Sequence, residues 1–218
     1  METRFELESS LHSESRSGSD WLPDMPTLPS TRLQIALLLQ ESQVDLRALG
    51  DVILSDVCAT LQTFRLAGEE YPEEDDRPTR IEDCIASLNL DRWRDLLCVP
   101  RIPGTLDLTR ELGHSRRVAL CAKELASLFD DCSPEEAYLA GLLSEVDRLP
   151  EILGWTGVGD SPDEQREHGL AMAYYWHLPK YVLAALRSKR HDEKPSSMSG
   201  ILELAHSMAA QVEHPDLS

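Results

Sequence analysis

Apolar residues recur at three- and four-residue intervals along most of this chain, with polar residues filling the positions between them. That period lets an α-helix bury one face. It begins near Ser30, where Leu33, Ile35, Ala36, Leu37 and Leu39 predict a dense apolar face. A break at Glu41–Gln43 leads into Val44–Leu54, with Leu46, Leu49, Val52 and Ile53 in register. Asp56 stands where an N-cap belongs, ahead of Val57, Ala59, Leu61, Phe64 and Leu66. Gly68–Pro78, rich in acids and holding two prolines, predicts a solvated loop or a lobe connection.

Helical spacing resumes over Arg80–Leu88 and Asp91–Val99, and Pro100 with Pro103-Gly104 then marks a lobe boundary. A long helix is expected over Leu106–Asp130, with Leu112, Val118, Ala119, Ala122, Leu125, Ala126 and Phe129 inward. Ser133-Pro134-Glu135-Glu136 has the order of a helix start, and Ala137, Leu139, Ala140, Leu142, Leu143 and Val146 follow it. Gly154–Asp160, with three glycines, reads as loop; no strand precedes it, so it is no phosphate cradle. Helices over Pro162–Trp176, Pro179–Arg190 and Ser196–Val212 complete the chain. No segment alternates as a strand does, so the expected fold class is all-α.

A length of 218 residues, 41% of them hydrophobic, suits one body of two lobes better than two independent domains. The expected plan is a flexible tail over 1–22, a domain over 23–212 with lobes 23–100 and 101–212, and a short tail over 213–218. A formal charge of -18 repels phosphates, so neither nucleic acid nor an anionic membrane is an expected partner. The one basic group, Arg187, Lys189, Arg190 and Lys194, reads as a helix end whose cations suit the dipole. Five cysteines, Cys58, Cys84, Cys98, Cys121 and Cys132, lack paired spacing and read as reduced thiols. With no signal-peptide core and no apolar run near the ~20 residues a bilayer requires, a cytoplasmic location is expected.

The order of these segments resembles the HDOD family, the HD-related output domains of bacterial signalling. Leu28-Pro29-Ser30 opens like the family's "LPSLP" start. Leu49, Val52, Ile53, Asp56, Leu61 and Leu66-Ala67 fit its "L..I...D..L...LL..AN" pattern, and Ile81–Leu97 is similar to "I..AI..LGL..LR.LL". His114-Ser115 matches "W.HS...A", and Glu135–Leu143 matches "EEAF.AGLLHDIG". Glu167-His168-Gly169 through Trp176-His177-Leu178-Pro179 matches "E...HA..GA.LL..W.LP", while Leu202–His206 sits at "IV.LAD". The resemblance covers residues 24–212. It implies an HD-type helical lobe, preceded by an additional helical lobe.

Working HD enzymes hold one or two divalent metals with a helix His, an adjacent His-Asp pair and a later Asp, which makes a bound water nucleophilic. This chain departs from that set. Ser144-Glu145 stands where the pair belongs, His206 replaces the late Asp, and Lys189-Arg190-His191 occupies the region of a frequent His pair. The degenerate pocket candidates are therefore His114, Ser144, Glu145, His168 and His206, with no catalytic residue, no metal and no cofactor expected. Ser144 lacks the G-x-S-x-G turn of a nucleophile. Asp147 is expected as a surface acid near Arg148, and His12, His177 and His214 receive no special role. Trp93 and Trp176 read as packing residues, and one of the adjacent Tyr174 and Tyr175 as partly exposed.

The function these observations imply is a non-catalytic signalling or scaffold module whose partner is another signalling protein. No receiver, kinase or cyclase segment accompanies it, so input is expected from a separate protein. A ligand or metal sensor using the degenerate pocket is the alternative, and a residual metal-dependent phosphohydrolase a third. The sequence leaves the oligomeric state open.

Overall fold

The computed structural model describes residues 25–71, 73–89, 92–93, 105–153, 161–188 and 197–213. Every regular element among them is helical. The first part of the chain contributes α1 (Pro29–Leu38), α2 (Leu46–Ile53), α3 (Val57–Glu69) and α4 (Ile81–Ser87). After these come α5 (Thr105–Ala126), α6 (Pro134–Leu142), the short α7 (Leu149–Ile152), α8 (Pro162–Tyr175), α9 (Lys180–Ser188) and α10 (Ser197–Glu213). Single 3-10 turns lie at Glu74–Asp76 and Val146–Arg148.

Local chemistry explains where these helices start. Asp45 Oδ1 accepts from the N–H groups of Arg47 and Ala48 at 2.9 and 3.1 Å, capping α2. Asp56 does more. Its Oδ1 accepts from Cys58 and Ala59 N–H at 3.0 and 3.1 Å, while Oδ2 accepts from Leu28 N–H at 2.8 Å. One buried carboxylate thus caps α3 and ties the entry of α1 to it. Ser133 caps α6 as its sequence indicates, and Ser161 with Glu164 closes a reciprocal capping box on α8.

α3 carries the centre of the core, with Val57, Cys58, Leu61, Phe64, Leu66 and Ala67 all buried. That core runs on without a break into Leu112, Ala119, Leu139, Leu142, Leu143, Met172 and Trp176, so the two halves of the chain share it. Tyr138 reinforces the join by donating its hydroxyl to the Leu54 carbonyl at 3.0 Å. A second cluster is built from small residues, Ala122, Ala126, Ala137, Ala140, Ala205 and Ala209 among them. Small side chains let α5, α6 and α10 approach closely. A Cβ on Gly141 would lie 2.8 Å from Ala119 Cα.

Several expectations are corrected. Leu33 and Leu37 are 61% and 55% exposed, because α1 turns Thr31 and Ile35 inward and residues two positions away fall on the opposite face. Phe129 is exposed because α5 ends at Ala126, before that residue could continue its inner face. The helix that begins at Pro134 stops at Leu142, so Val146 belongs to a 3-10 turn. Arg148 pairs with Glu145, its Nη1 3.1 Å from Oε1. Trp93 and Trp176 are buried, and Tyr174 is the exposed tyrosine of its pair, with the Arg187 guanidinium 4.9 Å from its ring centroid. Cys58, Cys84, Cys121 and Cys132 are free thiols. Cys98, the lobe boundary at 100–104, the 154–160 loop, His12, His214 and Lys189–His191 lie outside the described residues.

Candidate functional site

Three of the five pocket candidates converge. His114 projects from α5, Glu145 follows α6 in the turn that leads to Val146–Arg148, and His206 projects from α10. One donor atom from each lies within 4.8 Å of the other two. His114 Nε2 is 3.8 Å from Glu145 Oε2, too long for a hydrogen bond but close enough for direct electrostatic contact. The His114 and His206 rings stand 5.8 Å apart between centroids, tilted by 33°.

Ser144 takes a different part from its neighbour. Its side chain is buried, and its Oγ lies 2.8 Å from the Gly141 carbonyl and 3.0 Å from His206 Nε2. The hydroxyl has a single proton. Donated to Gly141, it makes Ser144 the acceptor of His206 Nε2–H and sets the tautomer of that ring. Glu145 is likewise held from behind, with Arg148 Nη1 donating to its Oε1 at 3.1 Å. Its other oxygen is the one facing His114.

His168 does not join the cluster. It lies on α8, whose next residue, Gly169, packs against the backbone of Asp147; a Cβ there would come within 2.3 Å of the Asp147 carbonyl oxygen. Burial pushes the His168 imidazole below its ordinary range, as desolvation disfavours the charged ring. Beside Glu145 runs a small cavity lined by Val57, Leu112, Leu142, Val146, Leu149 and Ile152, with Ser115 and Glu145 as its polar members. Its walls suit an apolar group and offer no cation to a phosphate.

The family model for the HDOD domain matches residues 25–150, more than half of the chain. The chain belongs to the HDOD family. Among solved structures, this HDOD protein is similar to the MmoQ response regulator of Methylococcus capsulatus strain Bath. The TM-score is 0.71 at 20% identity, covering 91% of this chain and 90% of that one. A fragment of the same regulator, residues 20–298, matches with a TM-score of 0.67 at 21% identity, over 90% and 88% of the two chains. An HDOD domain protein of unknown function from Geobacter sulfurreducens aligns at 22% identity with a TM-score of 0.36, over 96% of this chain and 77% of that one. No match is found among curated proteins. At these identities the two MmoQ structures establish the all-helical fold alone.

The residue that sequence reasoning passed over is His177. It is the one non-glycine residue with positive φ among the described residues, at 56°. It closes α8, donating its N–H to Tyr174 O at 3.0 Å while Leu178 N–H reaches Ala173 O at 3.4 Å. That pair of bonds is a Schellman closure, in which glycine usually holds the left-handed position. Without a glycine at that position, the sequence carries no signal for it.

Proposed function

We propose that this HDOD protein is a non-catalytic signalling module that works by contact with another protein. Its outer face on α10 carries the reading. Leu204, Met208 and Val212 recur every four residues and are 54%, 44% and 69% exposed, alongside the buried Ile201, Leu202, Ala205 and Ala209. A helix whose apolar side is wider than the part it buries keeps the exposed flank for a second surface. The chain's charge of -18 favours a partner whose apolar contact is rimmed by basic groups. Replacement of the metal-binding pair by Ser144-Glu145, and the apolar walls beside Glu145, support the absence of hydrolysis. The similar MmoQ is a response regulator, which is in keeping with a signalling role.

A photo-crosslinking side chain placed at Met208 tests this in cells of the source organism. A discrete adduct with one protein is expected, absent when the probe sits at the exposed Ala184 of α9 and lost in Leu204→Asp, Val212→Asp. Equal labelling at both positions, or hydrolysis of phosphodiesters by the purified chain that His114→Ala abolishes, would overturn the reading.

A further inference from the structure

We infer that His114, Glu145 and His206 form a three-ligand site for one zinc-class divalent ion, rebuilt from residues other than the HD pair. Two imidazoles and a carboxylate are a donor set that suits a borderline ion such as zinc. The geometry is near what such an ion requires. Metal–ligand bonds of about 2.0–2.2 Å place tetrahedral donors roughly 3.4 Å apart. The 3.8 Å between His114 Nε2 and Glu145 Oε2, and the 4.8 Å limit on the whole set, need only a small side-chain contraction.

A chance meeting of polar groups does not account for the supports behind two of the ligands. A metal-binding His commonly donates its second N–H to a fixed acceptor, and Ser144 supplies that acceptor to His206 at 3.0 Å. A ligating carboxylate is in turn hydrogen-bonded, and Arg148 does this for Glu145 at 3.1 Å, leaving Oε2 toward His114. Ser144 is thus a positioning residue, and the serine that breaks the HD pair acquires a use. The three ligands come from α5, the turn after α6, and α10, so an ion here would fasten α10 to the body of the protein. His206 lies two positions from both Leu204 and Met208, so the ion would sit on the inward side of that helix, away from the exposed stripe. The inference stands apart from the contact reading, since either can fail without the other.

The full chain, stripped with a chelator and dialysed, is titrated with zinc against a competing indicator and with cobalt as a spectroscopic probe. One ion per chain is expected, with strong tetrahedral cobalt absorption and no thiolate charge-transfer band. Glu145→Gln and His206→Asn should each weaken zinc binding at least ~10-fold, and Ser144→Ala should weaken it and shift the cobalt spectrum. His168→Gln, outside the cluster, should bind as the parent does, and circular dichroism checks that each variant stays helical. Absence of stoichiometric uptake by the parent overturns the inference. So does a thiolate band, which would place the ion on a cysteine, or binding unchanged in folded Glu145→Gln and His206→Asn. Where a variant does not fold, the parent's stoichiometry and cobalt spectrum decide alone.

Discussion

Gly68 on α3 and His177 after α8 are in direct contact, and a Cβ built on Gly68 would lie 2.3 Å from His177 Cδ2. The pair joins the two halves of the chain at a point where neither backbone can retreat, because His177 closes the Schellman turn of α8. Gly68→Ala is therefore expected to destabilise the protein by about 1–3 kcal/mol through overpacking. The loss should appear as a lower urea midpoint at unchanged slope.

His177 also predicts a pH dependence. Burial, then Arg77 and Arg65, depress its imidazole to about 4. The unfolded value is about 6.5, so between the two the unfolded state binds the extra proton. Stability from this group is full above about pH 6.5 and declines as pH falls toward 4, then levels off. Asn tolerates the positive φ, so His177→Asn keeps the turn and should flatten that decline. Urea midpoints of parent and variant from pH 7.5 to pH 4 are the measurement, and their difference cancels the titration of carboxylates common to both.

Asp56 is expected to be among the most sensitive polar positions. Asp56→Ala removes the cap of α3 and leaves the part-buried Leu28 N–H without its acceptor, a combined loss of about 2–3 kcal/mol. Asp56→Asn should recover part of it, since one amide oxygen can serve the cap but not both sides. Asp45→Ala, which removes an exposed cap alone, should lose only about 1 kcal/mol. Guanidinium unfolding of the three variants ranks them.

Periodicity and capping chemistry made most helices legible, since Asp56, Ser133 and the Pro162 start each act through neighbours in sequence. Which face of α1 turns inward was not legible, because Leu33 and Ile35 are equally apolar and only the docking against Asp56 decides between them. The candidate site was half legible. Motif alignment named His114, Ser144, Glu145, His168 and His206, but it weighed them by likeness to a metal-binding pair. Whether they meet depends on how closely α5, α6 and α10 pack, which Ala119, Ala122, Gly141 and Ala205 determine through long-range contact. Ser144, passed over as a poor ligand, turns out to hold His206 instead. His177 left no trace in the pattern because its conformation is imposed by the turn.

The same substitution at two helical glycines should act with opposite sign. Gly141 sits where α6 meets α5, and a methyl there would press on the Ala119 backbone, Cα at 2.8 Å and N at 3.1 Å. Backbone cannot swing aside as a side chain does, so Gly141→Ala must push apart the helix bearing His114 and the turn bearing Glu145. A loss of about 1–3 kcal/mol is expected. Gly200 lies on α10 with nothing within 4 Å of a built Cβ. There the methyl meets no obstacle, and the gain in helix propensity should raise stability by up to about 1 kcal/mol. Differential scanning calorimetry of the two single variants and their double checks the pair. The sites are on different helices and share no partner, so the two effects should add to within about 0.5 kcal/mol. A neutral Gly141→Ala would mean that α5 and α6 are not in the close contact that brings His114 and Glu145 together.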